Sequence, residues 1–155
     1  MRKISLTNGK LTVEILPDCG GADSVLRWAD SRLRSFDLLR SANESEINRQ
    51  LPGAFSCIPL APFAAQDDPD TAGPIHANMA GWTVQDASNI RATLTLHRDA
   101  GAPESALSSY QLLQRFELGQ EGLRILLTIT NIGVRPLPAR AGLRLRPDMR
   151  GACML

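Results

Sequence analysis

Apolar side chains recur at every second position through most of the second half of this sequence. Ile90, Ala92, Leu94 and Leu96 alternate with Arg91, Thr93, Thr95 and His97; Tyr110, Leu112, Gln114, Phe116 and Leu118 repeat the period; Leu123, Ile125, Leu127 and Ile129 carry it on. Such a period places one face of a β-strand in a core and the other in water. No segment shows the i, i+3, i+4 apolar stripe that would anchor an amphipathic helix. A chain so patterned has to build sheets and cover one face of each.

The amino-terminal part follows the same rule. Ile4 and Leu6 precede Asn8-Gly9, and Leu11, Val13 and Ile15 follow it. Two half-buried strands flanking a dipeptide that accepts positive φ predict a tight hairpin centred on Asn8-Gly9. Pro17 to Gly21 breaks the pattern, and Val25–Trp28 and Ser35–Leu39 read as further short strands. Ser41 to Gln50 is polar and reads as a loop. Leu51 to Phe63 holds Pro52, Pro59 and Pro62, each lacking a donor and fixing φ, which predicts a stiff extended segment that regular sheet cannot cross. Gln66 to Gly73, with three aspartates and a proline, reads as an exposed loop leading to Pro74-Ile75-His76. Eight or nine short strands joined by turns predict an all-β, antiparallel sandwich.

At 155 residues the chain has the size of one domain, and 43% hydrophobic residues suffice for its core. A net charge of +1, from 17 basic and 16 acidic residues, provides no one-signed field for nucleic acid or anionic lipid. No apolar run approaches the ~20 residues of a membrane span, so the expectation is a cytoplasmic protein with neither partner. Cys19, Cys57 and Cys153 are odd in number and widely spaced, which reads as reduced thiols, with Cys57 packing in its apolar segment. His76 and His97 have no carboxylate or thiol at metal-ligand spacing, so no metal is expected. His97 lies in phase with the polar face of its strand. His76 follows a Gly-Pro break on a loop, where ligand-contacting groups gather.

The order of segments carries more than any one of them. Gly20-Gly21-Ala22 is followed by Leu26-Arg27-Trp28, Asp37-Leu38-Leu39, Pro59-Leu60-Ala61-Pro62-Phe63-Ala64 and Gly73-Pro74-Ile75-His76. Gly81-Trp82-Thr83-Val84, Tyr110, Gln114-Arg115-Phe116-Glu117-Leu118 and Arg135-Pro136-Leu137-Pro138 come after. From about Leu11 to Leu145 this succession resembles the aldose 1-epimerase, or galactose mutarotase-like, family. The resemblance implies a large antiparallel supersandwich that binds a free aldohexose and interconverts its anomers without a cofactor. It implies a histidine acid, a glutamate base late in the chain, and a second histidine that holds the sugar.

His76 stands at the sugar-holding position, with Ala77 in place of the usual glycine. Ala65-Gln66 replace the usual Asn-Arg pair. Arg146, in Gly142-Leu143-Arg144-Leu145-Arg146-Pro147, occupies the position of the acid, and a guanidinium with a pKa above about 12 cannot deliver a proton near neutrality. The sequence is shorter than the family. Residues 1–155 therefore read as one truncated domain matching the family's amino-terminal portion, with 148–155 an atypical tail of the kind a frameshift or early stop leaves. The expectations are a catalytically inactive chain that keeps part of a sugar cleft, alternatively a non-catalytic carbohydrate-binding or regulatory sandwich, and self-association through exposed strands.

Overall fold

A computed structural model describes residues 2–32, 34–39, 54–57, 81–98, 109–134, 136, 142–145 and 148. They form ten strands: β1 (Ile4–Thr7), β2 (Leu11–Leu16), β3 (Ala22–Ala29), β4 (Ser35–Asp37), β5 (Ala54–Cys57), β6 (Thr83–Ala87), β7 (Arg91–Arg98), β8 (Tyr110–Leu118), β9 (Leu123–Asn131) and β10 (Gly142–Leu145). Two sheets result. One has the order β1-β2-β3-β5-β10 with β4 on β3, and the other the order β6-β7-β8-β9; every pairing is antiparallel.

The alternation buries itself as expected. Leu11, Val13 and Ile15 from the first sheet meet Ala92, Leu94, Leu112, Phe116 and Leu118 from the second in one core. Leu123, Ile125, Leu127 and Ile129 pack against that core and are half-buried. Ile90 departs from the expectation. It stands 44% exposed in the turn before β7, because the strand begins only at Arg91.

The first hairpin forms one residue later than the dipeptide suggests. Gly9 takes the positive φ, +89°, while Asn8 works through its side chain: Oδ1 accepts from the Lys10 N–H at 2.9 Å and the Leu11 N–H at 2.7 Å. Asn8 thus closes the turn as an Asx motif, with Gly9 and Lys10 at its tip. Its Nδ2 also donates to the Gly119 carbonyl at 2.6 Å, tying this turn to the β8–β9 turn. Asn8→Ala removes all three bonds and should cost about 1–3 kcal/mol, read as a lower urea midpoint; an unchanged midpoint would show that water replaces them at no cost.

Pro17 to Gly21 breaks the alternation by a 3-10 turn, Pro17–Cys19, followed by Gly20 at φ +72° and Gly21 at φ +64°. Across the core, a Cβ on Gly21 would lie 2.8 Å from Gln114 Oε1, so both the backbone and the close approach require glycine there.

The expectation for Leu51 to Phe63 is amended. Regular sheet occupies part of the proline-rich segment, since β5 takes Ala54–Cys57, pairing with β10 over four positions and with β3 at Asp23–Ala54. Pro52 and Pro59 fall outside this short strand, so no missing donor interrupts its ladder. The loop expected at Ser41 to Gln50 and that at Gln66 to Gly73 lie outside the described residues.

Candidate functional site

Strands β3, β5 and β10 lie side by side, and one row runs across them: Asp23 opposite Ala54, and Ala54 opposite Leu145. The next residue along the chain is Arg146. The scaffold that leads up to the expected acid position is therefore formed, while Arg146, His76, Ala65, Gln66, Pro147 and Cys153 lie outside the described residues. His97 is exposed on the outer face of β7, as its phase implied. Cys19 carries a thiol, pushed up by its partial burial and then by the neighbouring Asp18 carboxylate.

Asp23 is the residue that sequence reasoning missed. Counting alternate positions back from Leu26, which pairs with Val13 in the core, places Asp23 on the outer face. A β-bulge reverses this. Val25 pairs with Glu14 and Asp23 with Ile15, so Ser24 is the extra residue on β3. The Ser24 hydroxyl donates to the Glu14 carbonyl at 3.3 Å, occupying a backbone acceptor at the irregularity. Asp23 then turns inward with Ile15 and is 2% exposed. Its Oδ1 has no hydrogen-bond partner, and burial alone pushes the carboxyl up to about 8. At neutral pH Asp23 is an un-ionised acid held in the interior.

At one end of the sandwich the hairpin turns are knit together. Thr7 N–H donates to the Asn89 carbonyl at 2.6 Å and Leu118 N–H to the Ile90 carbonyl at 2.8 Å. Beside them an open groove of about 920 Å³ carries Arg91, Glu117 and Arg124, which lie opposite one another across β7, β8 and β9. Charges of both signs meeting water describe a solvated rim more than a site. A smaller groove of about 250 Å³ runs between β3 and the β8–β9 turn, lined by Trp28, Leu26, Leu38, Lys10, Gln120 and Glu121 among others. Trp28 and Phe36 face each other across β3 and β4 with ring centroids 5.7 Å apart. Among the described residues no three His, Cys, Asp or Glu side chains converge as metal ligands, and no helix is long and apolar enough to cross a membrane.

Two antiparallel sheets around one apolar core, with a Gly-Gly turn leading into β3 and a β3-β5-β10 face beyond it, define a two-layer β-sandwich. The fold is galactose mutarotase-like. It matches a galactose mutarotase-like protein from Clostridium acetobutylicum with a TM-score of 0.72 and 16% identity, over 94% of this chain and 50% of that one. A galactose mutarotase-like protein from Lactobacillus casei matches with a TM-score of 0.70 and 19% identity, over 92% and 48%. An aldose epimerase homologue from C. elegans matches with a TM-score of 0.62 and 14% identity, over 93% and 51%. The chain spans about half the length of these structures. A scan against protein-family models returns no match, and a search of curated proteins returns none.

Proposed function

We propose that this chain holds a free aldohexose in a cleft over β3, β5 and β10, with His76 among the sugar contacts, and that it does not itself interconvert anomers. The observation that carries the reading is the mutarotase-like fold over nine-tenths of the chain, in which β10 ends at Leu145, directly before Arg146. Mutarotation opens the ring when an acid protonates the ring oxygen while a base takes the anomeric hydroxyl proton, and it needs both groups together. Arg146 is too weak an acid to give a proton at neutral pH. What remains is the part of the chemistry that arginine and histidine do well, which is to donate hydrogen bonds to sugar oxygens.

Polarimetry of freshly dissolved α-glucose or α-galactose tests the chemistry, and calorimetric titration with the same sugars tests the binding. The expected result is anomer equilibration no faster than in buffer, together with saturable binding of at least one aldohexose that His76→Ala weakens. Equilibration that scales with protein concentration overturns the inactive reading, and failure of every aldohexose to saturate overturns the binding reading.

A further inference from the structure

We infer that the groove between β3 and the β8–β9 turn is a second saccharide subsite, in which a pyranose ring lies against the indole of Trp28. Its lining includes Trp28, Leu26, Leu38, Lys10, Gln120 and Glu121 and takes nothing from β5 or β10. It shares β3 with the proposed cleft but uses Leu26 and Trp28, which pair with β2 and β4, whereas β5 meets β3 at Asp23, and it stands on its own lining whether or not that cleft binds sugar.

Trp28 is a prepared platform. It is 40% exposed, whereas the chain's other tryptophan, Trp82, is 1% exposed. Phe36 stacks on it at 27° between ring planes, and the Arg34 guanidinium stands 5.9 Å from the centre of the Phe36 ring. Arg34 is held in turn by Asp30, with Nε donating to Oδ2 at 2.7 Å. The indole is thus oriented before any ligand arrives, so binding pays little to order it. Leu38, 44% exposed, lines the same groove, so the indole and an aliphatic side chain present apolar surface to it together.

The rest of the lining selects the ligand. Leu11 and Leu26 give an apolar floor, and the exposed Lys10, Gln120 and Glu121 stand around it. Lysine only donates, ionised glutamate only accepts, and glutamine does both. A pyranose has the matching make-up: an apolar face of C–H bonds for the ring, and an equatorial set of hydroxyls, each donor and acceptor, for the rim. A wholly apolar ligand would desolvate the rim without replacing its hydrogen bonds, and one cation with one anion provides no net attraction for a charged ligand. The volume, about 250 Å³, suits a single ring.

Because Trp82 is buried, iodide quenching of tryptophan fluorescence reports mainly on Trp28. The probes are free aldohexoses and their methyl glycosides, the latter unable to mutarotate. The expected result is that at least one sugar, as the methyl glycoside too, shields Trp28 from iodide in a saturable way. The affinity read from that shielding should fall about tenfold in Glu121→Gln, as for one charged hydrogen bond, and stay unchanged in His76→Ala, and calorimetry should lose a site of that affinity in Trp28→Ala. Circular dichroism keeps a misfolded variant from counting. Three outcomes overturn the inference: no sugar shields Trp28, Trp28 is already shielded without sugar because the chain itself covers the groove, or shielding grows with protein concentration alone because a second copy does so. Loss of binding in His76→Ala with Trp28 still shielded would instead report on the cleft.

Discussion

Wild-type stability falls as pH rises from about 4 to 8, and Asp23→Asn abolishes most of that fall. The cause is the buried carboxyl of Asp23, raised from 3.8 to about 8 in the folded chain. The folded state keeps its proton across this window and the unfolded state does not, so folding takes up a proton. Stability from the neutral acid is complete below the unfolded value and is lost as pH climbs through the folded one, by about 1.4 kcal/mol per pH unit. Asp18 and Asp30 shift the opposite way. Backbone and side-chain bonds from Arg2 hold Asp18 low. At Asp30 desolvation pushes upward, and the bonds from Arg34 and Arg32 together outweigh it. Both carboxylates are partly buried, and their stabilisation is lost as pH falls below the ordinary carboxylate range, outside the window in question.

An asparagine side chain is nearly isosteric with the acid and cannot ionise, so the difference between the two proteins isolates this one group from other titrating residues. Urea denaturation at pH 5 and pH 8 should show the Asp23→Asn variant gaining several kcal/mol on the wild type between the two conditions. Equal pH slopes would mean that water or a rearrangement of β3 solvates the carboxylate.

That residue also marks the boundary of what the sequence discloses. Leu11, Val13 and Ile15, and Tyr110 through Leu118, were legible because side-chain alternation is a property of the strand backbone itself. Even Gln114, polar in an apolar row, is buried where the period places it. Asp23 was illegible because a single extra residue, Ser24, reverses the faces, and nothing in Ala22-Asp23-Ser24 announces a bulge. β5 was hidden for a related reason: prolines forbid a ladder at their own positions but not between them. The Trp28–Phe36 pair depends on the register of β3 against β4, which spacing along the chain cannot supply. For the proposed cleft, the family resemblance named His76 and Arg146, and both lie outside the described residues.

Two substitutions on neighbouring rows of the second sheet should behave in opposite ways. Phe116 is fully buried and lies opposite Ile125 of β9. Phe116→Ala leaves a cavity that the strands around it cannot close, and should cost about 3–5 kcal/mol. Leu126, opposite Arg115 on the outer face, is 42% exposed. There the question is association. Among the described residues β9 pairs with β8 alone, its one charge is Arg124, and its inner row is only half-buried. We propose that copies of this chain associate along β9, since a long edge with so little charge invites strand addition. Leu126→Glu sets a carboxylate opposite Arg115, whereas lysine there would set two cations against each other, so the glutamate should leave the urea midpoint within about 0.5 kcal/mol of wild type. Light scattering after size-exclusion chromatography should show the wild-type mass rising with concentration and the Leu126→Glu mass staying at one chain. A wild type that stays monomeric across the same range would mean that the β9 edge is already covered, and the proposed association would fall.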